Sequence, residues 1–314
     1  MFSVDTGLIE EIRQLKEERR AAIIAHNYQP GPIQDLADYV GDSLAMARWA
    51  KNADVDVLVV AGVYFMAETA YILSPDKTVL IPDADAGCSL AESITAEELQ
   101  AWKEAFPQAA VVSYVNTSAA VKALSDYCCT SSNAVEVVEH IDPDRDILFL
   151  PDFFLGSHVA RATGRKNIHV WMGECHVHAG IDAETLANTV SNHPDAEVLV
   201  HPECGCTTRA LALPPEGIDT HVLSTDGMIR HSRLSSREQF IVATEVGLLH
   251  RLRKENPKKE FIAASEQALC PFMNKISLEK IRDGLRDNHV VVEVPESIRA
   301  RALLPLERMV AIGG

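Results

Sequence analysis

The sequence predicts an α/β fold of three α/β/α units, each with a small parallel sheet, related by a pseudo-threefold axis through a central site. Three observations carry this. A phrase of apolar strand, polar turn and cysteine occurs three times: Thr78-Val79-Leu80-Ile81-Pro82 before Gly87-Cys88, Ile168-His169-Val170-Trp171-Met172 before Gly173-Glu174-Cys175, and Glu260-Phe261-Ile262-Ala263-Ala264 before Cys270. The cysteines are spaced by 87 and 95 residues, and recurrence at a near-fixed period decides architecture before any local reading does. Strand-like runs alternate with amphipathic helical stretches along the chain, as parallel sheets with crossover helices require. Finally, the first strand of each copy ends in polar residues at positions x and x+2: His26/Tyr28, Tyr114/Asn116 and His201/Glu203, stepping by 88 and then 87 residues.

In order, Thr6 to Arg20 is an amphipathic helix on Leu8, Ile9, Ile12 and Leu15. Ala21 to Ala25 is a strand running into His26, and Pro30-Gly31-Pro32 is a turn. Asp42-Ser43 caps a helix from Leu44 to Lys51, Val55 to Ala61 is a strand, and Met66 to Leu73 begins a helix before the strand at Thr78. After Cys88, Thr95 and Glu98 form a capping box for a helix to about Glu104. Ala110 to Val115 is a strand, Thr130 to Asn133 precede a helix through His140, and Ile147 to Leu150 is a strand followed by a helix from Gly156 to Thr163. After Cys175, Asp182 caps a helix to about Ser191, and Glu197 to Val200 is a strand. Ser224 and Thr225 precede a helical turn, Phe240 to Thr244 is a strand, and Leu248 to Lys254 is a helix. Beyond Cys270, Ser277 caps a helix to about Asp287, His289 to Val294 reads as a further strand, and a helix runs from about Glu296 to Val310. The units then comprise residues 1–87 with 290–314, 88–174, and 175–289.

The totals narrow the function. A net charge of −16 argues against a nucleic-acid partner. No run of eighteen apolar residues occurs, so no membrane span is expected. Met1 to Asp5 lack the basic and apolar regions of a signal peptide. Seven cysteines without an export signal fit a cytoplasmic protein, whose thiols serve metals or chemistry rather than disulfides.

In parallel sheets ligands bind beyond the carboxyl ends of the strands. There stand the x/x+2 pairs and a second set, Ser43, Ser131 and Ser224-Thr225, each before a helix whose N-terminus favours anions. Taken singly, a cysteine after a strand is usually a small buried hydrophobe, and such serines are ordinary caps. Three copies about an axis instead aim these groups and Cys88, Cys175 and Cys270 at one cavity. Cys128, Cys129, Cys204 and Cys206 lack repeat partners and read as bystanders. Structural zinc takes four ligands, mostly in close pairs. Three distant thiolates fit a 4Fe–4S cluster better, with one iron left open as a Lewis acid. A zinc-dependent hydrolase on His26, His201 and Glu203 and a non-enzymatic iron–sulfur sensor remain alternatives.

Several segments resemble the quinolinate synthase family: Ala25-His26-Asn27-Tyr28, Gly41-Asp42-Ser43, Phe65 to Ala70, Gly87-Cys88, Tyr114-Val115-Asn116, Gly173-Glu174-Cys175-His176, His201 to Cys204, Ser224-Thr225 with Met228, and Met273 to Lys280. The resemblance implies condensation of iminoaspartate with dihydroxyacetone phosphate to quinolinate, phosphate and water in de novo NAD biosynthesis. It also implies a functional link to L-aspartate oxidase or aspartate dehydrogenase. A 4Fe–4S cluster on Cys88, Cys175 and Cys270 is implied, with its open iron on the substrate nitrogen and a carboxylate. Tyr28 and Glu203 are implied for acid/base work, and His26 and His201 for orienting carboxylates or phosphate. His178 would approach the cluster edge, and Tyr114, Asn116, Ser43, Ser131 and Ser224 or Thr225 would hold anionic groups. Some members carry C-x-x-C-x-x-C at the third cysteine. Here Met273 and Ile276 replace the later two, so a redox disulfide there is lost; Cys204 and Cys206 are the candidate substitute.

Overall fold

The computed structural model describes residues 6–207 and 219–313. The N-terminal residues 1–5, read above for a leader, lie outside them. Twelve strands form three separate four-stranded sheets, all parallel within each sheet. The first contains β1 (Ala21–His26), β2 (Tyr39–Gly41), β3 (Val57–Ala61) and β4 (Thr78–Leu80), in the order β2-β1-β3-β4. The second contains β5 (Ala110–Tyr114), β6 (Tyr127–Cys129), β7 (Ile147–Leu150) and β8 (Ile168–Val170), in the order β6-β5-β7-β8. The third contains β9 (Glu197–Val200), β10 (Thr220–Val222), β11 (Gln239–Ala243) and β12 (Glu260–Ala263), in the order β10-β9-β11-β12. The three orders are the same, and the predicted α/β class with three α/β/α units stands.

The central strands are buried on both faces and read as continuous β-branched and aliphatic runs, such as Val57-Leu58-Val59-Val60-Ala61 and Ile147-Leu148-Phe149-Leu150. The edge strands β2, β6 and β10 are three residues each. The capping box forms as read: Thr95 accepts from the Glu98 amide, and Glu98 accepts from the Thr95 amide. Asp182 and Ser277 cap their helices through the amides of Thr185 and Lys280.

Three readings need correction. Residues His289 to Val294 form no regular strand. They lie antiparallel along the edge strand β4 through bonds of Ile81 with Val290 and Val79 with Val292, and one bridge pairs Leu80 with Val291. The alternation that suggested a strand is real, since Val292 and Val294 are buried while Val291 and Glu293 are exposed. Pairing exists on one side only, and Pro295 diverts the chain into the last helix, Glu296–Ala311. Pro30-Gly31-Pro32 is not a free turn but the start of a helix, Gly31–Leu36, because a proline at the first helical turn loses no needed N–H. Thr225 opens a full helix, Thr225–Leu234, rather than one turn.

The last helix packs on β6 and on the helices Ala119–Lys122 and Tyr64–Leu73. Arg48 donates to the carbonyls of Val310, Ile312 and Gly313, and Asn133 donates to those of Met309 and Ile312 at 2.9 and 2.8 Å. These bonds satisfy carbonyls that a helix C-terminus leaves unpaired. No helix among the described residues is long and apolar enough to cross a membrane.

Candidate active site

All three sheets direct their C-terminal ends to one cavity of about 60 Å3. His26, Tyr28, Ser43, Tyr114, Asn116, Ser131, His178, His201, Glu203 and Thr225 line it with Cys88, Cys175 and Cys270. Ser224 is the one predicted residue left out. Its hydroxyl accepts from the Gly227 amide as the cap of helix Thr225–Leu234, and it borders a neighbouring, more open depression.

Strand alternation sorts the side chains after β1. His26 and Tyr28 turn into the cavity, with ring centroids 4.6 Å apart. Asn27, between them, turns outward. Its amide donates to Thr225 Oγ1 at 2.9 Å and Asp226 Oδ1 at 2.8 Å, and its carbonyl accepts from Arg251 at 2.8 Å. The first unit thereby fixes where the third unit's Thr225 stands.

The Tyr28 hydroxyl is 2.5 Å from Thr244 Oγ1 and 3.1 Å from His178 Nε2. Burial pushes its acidity down well beyond that of an ordinary phenol, although His178 opposes this. It therefore stays protonated. Gly247 has no side chain because a Cβ there would lie 2.6 Å from the Tyr28 carbonyl oxygen.

Glu203 sits among three partners. Tyr114 donates to its Oε1, His178 Nδ1 is 3.2 Å from its Oε2, and His201 Nδ1 is 3.8 Å from Oε1. Burial opposes ionisation, but His178, His201 and the Tyr114 hydroxyl outweigh it and hold the carboxyl at about 2. His178 moves the other way. Burial favours its neutral form, yet Tyr28, Cys175 and Glu203 hold it well above the usual imidazole range. The two shifts run in opposite directions, each toward the charged form of its group. His26 and His201 are driven down to about 3 by burial, Glu203 opposing. They are neutral rings at pH 7. His201 Nε2 is 3.2 Å from Ser131 Oγ, and its ring stacks on His178 at 4.8 Å. Asn116 Oδ1 is buried without a protein partner, a polar demand that a ligand in the cavity would meet.

Unlike Ser224, Ser43 and Ser131 are not caps. Asp42 caps helix Ser43–Asn52 through the Ala45 amide at 2.9 Å, and Asn133 holds the N-cap position of helix Ala134–Glu139. Ser43 and Ser131 face the cavity instead.

Two buried carboxyls went unread in the sequence. Glu245 lines the cavity, accepting from the amides of Cys270 at 3.1 Å and Gly247 at 2.6 Å, and burial raises it to about 7. Asp152 is fully buried, caps helix Phe153–Thr163, and is raised well above the carboxylate range by burial and by Glu203. Both stand two residues past a third strand, β11 and β7. The x+2 rule, read only for first strands, would have found them.

Cys88, Cys175 and Cys270 follow the last strand of each sheet, β4, β8 and β12, and all seven cysteines are free thiols. Burial and the neighbouring cysteines push the thiols of Cys88 and Cys270 up, against amides of Leu90 and Ala91 at Cys88 and of Phe272 and Met273 at Cys270. Amides directed at sulfur are what a cluster's thiolates use. Among the described residues the three sulfurs do not form a set within 4.8 Å of one another, whereas Cys175, His178 and Glu203 do. Among the described residues His26, His201 and Glu203 do not form such a set either. Cys204 and Cys206 are buried, and Cys204 donates to the Ala243 carbonyl at 3.1 Å.

The family model described as quinolinate synthetase A protein matches residues 10–311. The chain belongs to the quinolinate synthase family. It is 55% identical over 307 residues to a quinolinate synthase of Mycobacterium tuberculosis, covering 96% of this chain and 88% of that one. To a quinolinate synthase of Thermus thermophilus it is 53% identical, covering 98% of each chain. To one of Mycobacterium leprae it is 54% identical, covering 96% and 87%. Like these quinolinate synthases, the chain is an enzyme.

Proposed function

We propose that the chain condenses iminoaspartate with dihydroxyacetone phosphate to quinolinate, phosphate and water, in a reducing cytoplasm, and that Cys88, Cys175 and Cys270 hold a 4Fe–4S cluster. The observation that carries this is the single cavity on which three repeat-equivalent thiols and a full ring of polar side chains converge. When bound, the cluster supplies an open iron that acts as a Lewis acid toward the substrate nitrogen and a carboxylate.

The chain's own residues do the rest. His26 and His201, neutral at pH 7, donate N–H bonds that orient carboxylate or phosphate groups without fixing a permanent cation there. Ser43, Ser131, Asn116 and Thr225 add neutral hydrogen bonds to the same anions. Tyr28 holds its proton on a hydroxyl already aligned by Thr244 and His178, so it acts as a general acid. Glu203, ionised and braced by Tyr114, accepts protons at Oε1 or Oε2. The buried walls limit water, which protects a hydrolysable imine. Because the imine is short-lived in water, an enzyme that oxidises aspartate, such as L-aspartate oxidase or aspartate dehydrogenase, must supply it.

The test is turnover by protein purified without oxygen, with iminoaspartate generated in situ and dihydroxyacetone phosphate added. Quinolinate should form in proportion to cluster content. An intact cluster with no quinolinate would overturn the reaction assignment. Activity with zinc and no iron would overturn the cluster.

A further inference from the structure

A second group of metal-ligating side chains lies at the far end of the third sheet. Glu197 opens β9 and is 5% exposed. Its Oε1 is 2.7 Å from Nε2 of His221, on β10, and 2.7 Å from Nε2 of His231, on helix Thr225–Leu234. The two imidazole rings are 4.2 Å apart. Oε2 accepts from the Ser235 hydroxyl at 2.8 Å. The three ligand atoms lie within 4.8 Å of one another.

The fold does not require these residues. Stepping by the repeat, Ala22 and Ala110 occupy the place of Glu197, while Tyr39 and Tyr127 take the register position of His221. A buried carboxylate in place of an alanine is costly unless strongly partnered. Here two imidazole nitrogens crowd onto one of its oxygens. That crowding is what a shared ion relieves. Donor atoms about 2.0–2.2 Å from a tetrahedral zinc-like ion stand about 3.4 Å apart, so each 2.7 Å contact opens by about 0.7 Å to admit the ion. The Ser235 hydroxyl fixes the carboxylate in the manner of an outer-shell partner. His221 and His231 are 37% and 26% exposed at the side chain, so ion and water can reach the site.

We propose that Glu197, His221 and His231 bind a divalent transition ion of the zinc class, with water completing its coordination. The ion fastens β9, β10 and helix Thr225–Leu234 to one another. Glu197 opens β9 and lies four residues before His201, which directly follows that strand, about 13 Å away, so the ion is structural and not part of the reacting centre. It still bears on the cavity, because His231 and Thr225 share a helix.

The experiment uses cluster-loaded enzyme kept without oxygen, so that Cys88, Cys175 and Cys270 are occupied. Zinc is added as the probe and followed by equilibrium dialysis, thermal denaturation and zinc-edge X-ray absorption. One zinc per chain should bind, with a nitrogen/oxygen shell near 2.0–2.2 Å and no sulfur shell near 2.3 Å, and the thermal midpoint should rise. His221→Ala and His231→Ala change half-exposed residues, and each should weaken binding at least about tenfold and cancel the rise in midpoint. Zinc held through sulfur, binding indifferent to both variants, or binding only in the millimolar range would each overturn the proposal.

Discussion

The Tyr114 hydroxyl, at the end of the second unit's first strand, donates to Oε1 of Glu203, three residues past the third unit's first strand. One bond thus joins two units at the cavity and holds the carboxylate that His178 also faces. Tyr114→Phe should lower kcat by about 10- to 150-fold, the worth of a hydrogen bond to a charged group. In a double-mutant cycle with Glu203→Gln the losses should not add. Additive losses in steady-state kinetics would separate the two residues.

Tyr28→Phe removes only the phenolic oxygen. Turnover should fall about 10²- to 10⁴-fold, the range of a lost general acid, while iron and sulfide content stays at the wild-type level. Near-normal quinolinate formation would take Tyr28 out of the proton inventory.

The hydroxyl residues now divide. Ser224→Ala loses a cap and should cost roughly 0.5–2 kcal/mol in denaturation, with little change in KM. Ser131→Ala loses no cap and should raise KM about fivefold or more with an unchanged melting temperature. The reverse pattern would exchange the roles given to Ser131 and Ser224.

The cysteines divide as well. Cys88→Ser, Cys175→Ser and Cys270→Ser should each lose the cluster, since serine is a poor ligand for iron. Cys128→Ser, Cys129→Ser, Cys204→Ser and Cys206→Ser should keep iron and sulfide near four each per chain, the 4Fe–4S stoichiometry. Anaerobic metal analysis of the seven variants decides it. Loss at Cys204 with retention at Cys270 would break the threefold assignment.

Asp42 gives a pH prediction. Burial and Asp226 raise it from its ordinary 3.8 to about 6, against the Ser132 hydroxyl and the amides it caps. The folded state then binds a proton that the unfolded chain releases, so Asp42 lowers stability as pH rises from about 4 through 6. Two pKa steps correspond to about 3 kcal/mol at most. Asp42→Asn keeps an N-cap oxygen and cannot ionise. It should match wild type near pH 3 and exceed it by about 1–3 kcal/mol at pH 7.5 in chemical denaturation. Equal stability at both values would show that Asp42 titrates normally.

Central strands were legible because runs such as Val57 to Ala61 are buried on both faces and leave an unbroken apolar word. The edge strands were not, since Tyr39-Val40-Gly41, Tyr127-Cys128-Cys129 and Thr220-His221-Val222 are too short for a period and half polar. The ring of His26, Tyr28, Tyr114, Asn116, His201 and Glu203 was legible because strand ends repeat. Glu245 and the adjoining Thr244 were missed because strand ends were compared only for the first strand of each copy, and both follow β11, a third strand. The choice between Ser224 and Thr225 needed Asn27, whose outward turn no linear pattern reveals.

The common strand order of the three sheets has a chemical consequence. A trimer of identical subunits would show its central chamber three copies of every side chain, and no threefold-symmetric chamber can hold one acid opposite one base. Joining the copies in a single chain lifts that restriction. The thiols stay alike, while the wall around them differs: phenol from the first copy at Tyr28, phenol and amide from the second at Tyr114 and Asn116, imidazole and carboxylate from the third at His201 and Glu203. The two unlike substrates of the proposed condensation can then each find a distinct side of one chamber.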